Sequence, residues 1–231
     1  MIEIVPSDSR GAANHGWLDS RFSFSFADYY DPDRMGFGPL RVINEDRIEA
    51  GTGFGTHPHR DMEIVTYIID GELEHKDSMG NGSVIRAGEM QRMTAGTGVM
   101  HSEINSSDQQ THLLQIWILP ERTGLQPGYE QKLFERDSKL NRWCLLGSRD
   151  GSDGSLTVHQ DVRVLASIIE ADQSLDYSFE PDRIGYLQVV RGELLLNDEA
   201  IAAGDGVQIS ATGKIRLKAL EESEVLLFDM A

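Results

Sequence analysis

Two short patterns in this 231-residue chain have the residue types and spacing of metal ligands: His57-Pro-His59 and, well downstream, His101-Ser-Glu103. Each pair is spaced i, i+2. In extended backbone, alternate side chains share a face, so each pair can aim both members at one point. A helix does not allow this, because positions i and i+2 do not face each other there. Pro58, which lacks a backbone N–H, also suits an edge or bulged strand better than a mid-helix position. Two such strands define a four-ligand site of three imidazole nitrogens and one carboxylate oxygen, a donor set for one divalent first-row metal. These donors tolerate iron, manganese, nickel, cobalt, copper and zinc and select none of them. A single histidine is ordinarily a surface or hydrogen-bonded residue, and His15, His75, His112 and His159 are read that way. The paired spacing beside the glycine-rich runs Gly51-Thr-Gly-Phe-Gly55 and Gly96-Thr-Gly98 sets the other three apart.

The elements that must carry these pairs read as short strands separated by glycine turns. Phe22, Phe24 and Phe26 alternate with Ser23 and Ser25, a strand pattern with one aromatic face. Asp28–Pro39 holds too many breakers for a regular element, and its Tyr, Phe and Met side chains are cover for a core or a pocket wall. Ile64–Ile69 is a β run ending at Asp70-Gly71, from which Glu72–His75 is expected to return antiparallel. Leu113–Leu119 is the most apolar strand, with Gln115 and Trp117 on one face and Leu114, Ile116 and Ile118 on the other. Many short strands with glycine turns indicate an all-β sandwich or barrel, with short helices confined to connections. Pro120, Gly124, Pro127 and Gly128 then interrupt the chain, and Tyr129–Phe134 is a candidate short helix.

The second half repeats the grammar of the first without its chemistry. Gly185-Tyr-Leu-Gln-Val-Val-Arg-Gly192-Glu-Leu parallels the stretch from Glu63 to Leu73, and Ile201-Ala-Ala-Gly204-Asp echoes Ile85-Arg-Ala-Gly88-Glu. This is internal duplication of one β unit. No histidine lies beyond His159, so the expected organisation is a metal-binding domain over residues 1–130 and a second domain over 131–231 without metal ligands.

Composition narrows the function. The 38 acidic against 21 basic side chains give a net charge of −17, which opposes a nucleic-acid backbone partner. Cys144 is the only cysteine, which excludes an intrachain disulfide and any cysteine-rich metal site. Met1-Ile-Glu-Ile-Val-Pro6 does not resemble a secretory signal, and no stretch has the length of a membrane span. A soluble, cytoplasmic and monomeric protein is the expectation.

Gly51, His57-Pro-His59, Glu63 and Gly71 resemble the first motif of the cupin superfamily, with the last spacing one residue longer than usual, and Gly88, His101 and Asn105 resemble the second. Asn14-His-Gly-Trp-Leu18, Phe24-Ser-Phe26, His57-Pro-His59, Gly96-Thr-Gly98 and His101-Ser-Glu103 together resemble the signatures of the pirin family of bicupins. The resemblance implies two jelly-roll β-barrels of the double-stranded β-helix type in one chain. It also implies a metal, by preference Fe(II), held by His57, His59, His101 and Glu103, with Glu63 as a rival or neighbouring carboxylate. Its bacterial members are similar to quercetin 2,3-dioxygenase, which uses O2 to open the heterocycle of a flavonol and releases carbon monoxide, and there Glu103 would act as the catalytic base. Its eukaryotic members imply the alternative, an iron-dependent regulatory or protein-interaction role without turnover.

Overall fold

The computed structural model describes residues 1–231, and antiparallel strands form nearly all of its regular structure; Ser7–Ser9, Arg136–Lys139 and Ser152–Gly154 are single helical turns. No helix is long and apolar enough to cross a membrane. The chain divides into two compact units, one of Gly11–Leu133 with Leu156–Gln160, the other of Met1–Arg10, Phe134–Ser155 and Asp161–Ala231. The division falls after Leu133 rather than after 130, and two further segments cross it. Ile2–Val5 pairs antiparallel with Gly206–Ile209, and Ile2 and Ile4 pack on the core of the later unit, so the first ten residues belong there. Thr157 donates its backbone N–H to Glu130 Oε2 and His159 donates its own to Glu63 Oε2, which ties 156–160 to the earlier unit.

The first unit is a sandwich of two sheets. The larger runs, in spatial order, through Gly128–Leu133, Glu89–Thr94, Glu63–Asp70, Thr111–Ile118, Leu40–Ile48, Leu18–Phe22 and Gly11–Asn14. The smaller runs through Gly53–His59, Val99–Ile104, Glu72–Asp77 and Gly82–Arg86. Glu63–Asp70 and Glu72–Asp77 therefore do not form the hairpin expected from the Asp70-Gly71 turn; the chain leaves one sheet and enters the other. Gly71 is the corner, with φ +78°, and a Cβ there would meet the Thr111 side chain and backbone at 3.0–3.1 Å. Thr111 Oγ1 fastens the crossing by donating to the Glu72 carbonyl at 2.6 Å. Two further expectations change. Tyr129–Phe134 is largely strand, because Gly128–Leu133 pairs with Glu89–Thr94, and the strand through Phe22 ends there rather than continuing to Phe26.

The second unit repeats this plan. Its larger sheet contains Ile2–Val5, Gly206–Ile209, Ile184–Arg191, Ser223–Met230, Val162–Ile169 and Cys144–Ser148 in that order. Its smaller sheet is Ser174–Ser178, Lys214–Ala219, Glu193–Leu196 and Glu199–Ala202. Gly192, at φ +82°, is the counterpart of Gly71, and Ser223 Oγ donates to the Glu193 carbonyl as Thr111 does to Glu72. Duplication thus extends from sequence to individual corner geometry. In Lys214–Ala219 burial alternates residue by residue, with Ile215, Leu217 and Ala219 inward and the lysines and Arg216 outward, the period-two signature of a strand with one wet face.

The interiors differ. One apolar cluster of the second unit includes Leu165, Leu187, Leu194, Val207, Leu217 and Leu227. The first unit has two smaller clusters, one around Ile48, Ile68, Leu73, Ile85 and Leu113 and one around Ile64, Met93, Ala95 and Val99. Polar side chains occupy the space that the second unit gives to leucines.

Candidate metal centre

His57 and His59 lie on Gly53–His59, and His101 and Glu103 on the neighbouring Val99–Ile104. The strands pair antiparallel with His101 opposite His57, and a bulge between His101 and Glu103 shifts the register so that Glu103 stands opposite Phe54. On its other edge, Val99–Ile104 pairs with Glu72–Asp77, placing Glu103 opposite His75. The ring centroids of His57, His59 and His101 are 4.4–4.8 Å apart, and His57 Nε2 lies 3.0 Å from His101 Nε2. The ligand atoms of these three residues fall within 4.8 Å of one another. Glu103 falls into a second group of the same size, with His101 and His75, so His101 is shared between the two.

The donor set fits a metal. His57 Nδ1 donates to the Gly55 carbonyl at 2.8 Å, which fixes the tautomer and leaves the Nε2 lone pair directed at His101. Burial, followed by the neighbouring His57, depresses His59 to about 4 and His101 to about 3. Both imidazoles are therefore neutral near pH 7, the form that binds a cation. The His57 and His101 nitrogens, 3.0 Å apart, are close enough for one ion to be held by both. His101 Nδ1 and His75 Nδ1 are buried without hydrogen-bond partners, while His75 Nε2 donates to Asp77 Oδ2 at 3.2 Å.

Glu103 is fully enclosed, and burial raises its carboxyl to about 7 against the opposing hydrogen bonds of Gln115 and Thr66. Gln115 Nε2 donates to both carboxylate oxygens at 3.2 and 3.0 Å, and Thr66 Oγ1 bonds to Gln115 Oε1 at 3.1 Å. These two belong to a row that crosses four strands of the larger sheet: Gln91 opposite Thr66, Thr66 opposite Gln115, Gln115 opposite Asn44. Directly opposed residues share a face. The equivalent row in the second unit is Val207, Leu187, Leu227 and Leu165, all in its apolar core. The row is thus polar in the first unit and aliphatic in the second.

A cavity of about 400 Å³ opens beside the histidines, within the range of about 300–1,000 Å³ usual for small-molecule sites. Both His57 and His59 line it, as do Glu103, Gln115, Asn44, Asp46, Ser20 and His15. Its remaining wall is mainly aromatic. Successive ring centroids 4.8–6.5 Å apart link Trp17, Phe54, His57, His59, Trp117, Phe26 and Phe22 into one chain of rings around the space.

Glu63 points elsewhere. Its Oε2 accepts from the His159 backbone N–H at 3.2 Å and lies 3.3 Å from His159 Nδ1. Sequence pattern therefore located the two pairs and the Gln115/Trp117 face but passed over His15, His75, Thr66 and Asn44. His75 stands two before Asp77, a spacing with the same alternation as the ligand pairs, and was the one legible signal.

A duplicated jelly-roll with a polar row and an aromatic cavity in one unit and an aliphatic row in the other defines a bicupin. The model of the pirin family matches residues 5–118, and that of the quercetinase C-terminal cupin domain matches residues 145–230. The quercetin 2,3-dioxygenase of Escherichia coli strain K12 is 49% identical over 231 residues, covering 100% of this chain and 99% of that protein. A pirin-like protein of Caulobacter vibrioides is 40% identical over 232 residues, with both chains covered completely. The crystal structure of bacterial pirin YhhW from Escherichia coli in complex with nickel(II) superposes with a TM-score of 0.95 at 48% identity, covering 100% of this chain and 99% of that one. This chain belongs to the pirin family.

Proposed function

We propose that the chain is a metal-dependent flavonol 2,3-dioxygenase: it opens the heterocyclic ring of a substrate such as quercetin, consuming one O2 and releasing one carbon monoxide. His57, His59, His101 and Glu103 would hold one divalent ion, with Fe(II) the family-based choice. The name and the nickel(II) complex of the Escherichia coli relatives support a metal-dependent quercetinase-like role. The observation that carries the reading is the opening of two members of a three-imidazole cluster, His57 and His59, into a cavity walled by aromatic rings and bordered by Glu103. A regulatory surface that needs the metal only to tune a partner contact has no use for such a cavity.

A bound ion supplies Lewis acidity toward the substrate's 3-hydroxyl and, if redox-active, a route for electrons to O2. The protein's own groups do the rest. Trp17, Phe26, Phe54 and Trp117 offer edges and faces against which a planar ring system lies, and they exclude water from it. Glu103 borders the cavity and is the carboxylate that accepts the hydroxyl proton at one of its oxygens, and Gln115 keeps that carboxylate oriented while it does so. His57 is held to one tautomer by Gly55, so the cluster geometry is set before any ligand arrives.

The deciding experiment is to load the purified protein with metal, quantify the ion, and follow quercetin with and without air. Oxygen-dependent loss with carbon monoxide release, abolished in folded His57→Ala and His101→Ala proteins, supports the reading. Loss that continues unchanged in both variants rejects the site.

A further inference from the structure

His75 is wholly buried and has no part in the chemistry described so far. Its strand, Glu72–Asp77, pairs with Val99–Ile104 so that His75 stands opposite Glu103 and Asp77 opposite His101. The four side chains therefore share one face. The ring centroids of His75 and His101 are 5.3 Å apart, and one ring nitrogen of each lies within 4.8 Å of the other and of a Glu103 oxygen. His75 also packs on the ring of Tyr129, with centroids 4.9 Å apart, and its Nε2 donates to Asp77 Oδ2. Asp77 is held in turn by Asn81 Nδ2 and by the backbone N–H groups of Met79 and Asn81. This clamp sets one tautomer of His75, with the proton on Nε2 and a bare lone pair on Nδ1. That Nδ1 is buried without a partner, and so is Nδ1 of His101.

We propose that His75 is a positioning residue of the metal centre: with an ion on Nε2 of His101, the Nδ1–H of His101 donates to Nδ1 of His75. A hydrogen-bonded line then runs from Asp77 through two imidazoles to the ion. The proposal rests on His101 being a ligand through Nε2, the nitrogen it turns toward His57. A neutral imidazole that gives one nitrogen to a cation carries its proton on the other, so His101 Nδ1 becomes a donor. Metal-bound histidines ordinarily pass that proton to an acceptor, as His57 Nδ1 is placed to do with the Gly55 carbonyl. For His101 the paired strand offers His75 and Asp77, and Asp77 Oδ2 already takes Nε2 of His75. Seen from His75, the need is for a donor. Ionised Asp77 and Glu103 supply none, and the Tyr129 hydroxyl is engaged with Gln131 and Ser83. A small rotation of the two rings lets one orphaned donor and one orphaned acceptor satisfy each other. The bond fixes the plane of the His101 ring and, backed by the Asp77 charge, makes its Nε2 a stronger ligand.

The test uses the full chain with isotope-labelled histidine, loaded with zinc(II), a diamagnetic ion that the same donors accept. The expected result is a scalar coupling between the two Nδ1 atoms across the hydrogen bond, read by NMR and absent from His75→Phe. If zinc moves the His101 ring resonances but its Nδ1–H couples to no nitrogen, this proposal alone is overturned. If zinc leaves those resonances where they were, His101 is not a ligand, and the assignment of the metal centre falls together with the proposal. Nickel(II) affinity by calorimetric titration gives a second readout, with circular dichroism confirming the fold. His75→Phe keeps a ring on Tyr129 without the acceptor and is expected to bind about 10–100-fold more weakly. His75→Asn, which returns an acceptor near the Nδ1 position, is expected to recover most of that loss. Wild-type affinity in His75→Phe, or equal losses in the two variants, overturns the proposal, because a merely structural histidine would not be rescued by an acceptor.

Discussion

Gln115 donates from one amide nitrogen to both oxygens of Glu103, reaching from the larger sheet to a carboxylate carried by the smaller one. This bond fixes where the proposed fourth ligand points. Without it, Glu103 keeps only Thr66 Oγ1 at 3.5 Å, and its carboxyl moves further above about 7. Gln115→Leu is therefore expected to weaken nickel(II) binding about 10–100-fold, as loss of a group that orients a ligand commonly does. Calorimetric titration measures it; affinity equal to wild type would show that Gln115 does not orient the ligand.

Metal uptake should release a proton from Glu103. With a carboxyl near 7, about 0.9 proton is bound at pH 6 and about 0.1 at pH 8. Calorimetry in buffers of different ionisation enthalpy counts the protons released. The count for wild type minus that for Glu103→Gln is expected near one at pH 6 and to fall toward zero at pH 8. A difference that does not change with pH would remove Glu103 from the ligand set.

The metal-free protein should lose stability as pH falls. His59 and His101 are depressed below the 6.5 of an unfolded chain, so below pH 6.5 the unfolded state takes up protons that the fold refuses. Glu103 acts in the opposite sense: raised from 4.5 to about 7, it binds a proton in the fold first, so its contribution is present at low pH and declines as pH rises through that window. Burial depresses His75 in the same sense, so three histidines against one carboxyl leave a net fall in the urea midpoint from pH 6.5 to 4.5. In Glu103→Gln, which lacks the opposing group, the fall should be steeper. A midpoint that rises on acidification contradicts the assignment of neutral, buried imidazoles.

How far the sequence discloses this site depends on the range of the interaction. The i, i+2 spacing of His57/His59 and His101/Glu103 is local and survives reading one chain segment at a time, as does the Gln115/Trp117 face. The glycine corners at 71 and 192 were visible as turns, yet whether the chain folds back or crosses to another sheet depends on Thr111 and Ser223, far along the chain. The Glu63–His159 contact, 96 residues apart, and the four-strand row through Gln91 and Asn44 exist only once the register is set. For the same reason, a boundary placed by composition misses the return of Ile2–Val5 to a strand near the end of the chain.

Glu63 is predicted to be structural. Glu63→Leu leaves the His159 N–H without its acceptor and should cost about 1–3 kcal/mol by urea unfolding while metal content stays unchanged. Loss of metal from a protein that remains folded would instead make Glu63 a ligand, as in the broader cupin pattern.

Leu227 supplies the reciprocal test of why only one module carries a site. It occupies the place in the second unit that Gln115 has in the first, fully buried between Leu187 and Leu165. Leu227→Gln would put an amide where the neighbouring positions of the row offer only aliphatic carbon, so its donors and acceptor stay unpaired. The expected cost is about 2–4 kcal/mol, seen in the unfolding transition of the second unit. Nickel(II) affinity should be unchanged, because no imidazole pair stands across from the new amide. A tolerated substitution would mean that water or a polar backbone group reaches this interior, and the difference between the two modules would then lie in the histidines alone.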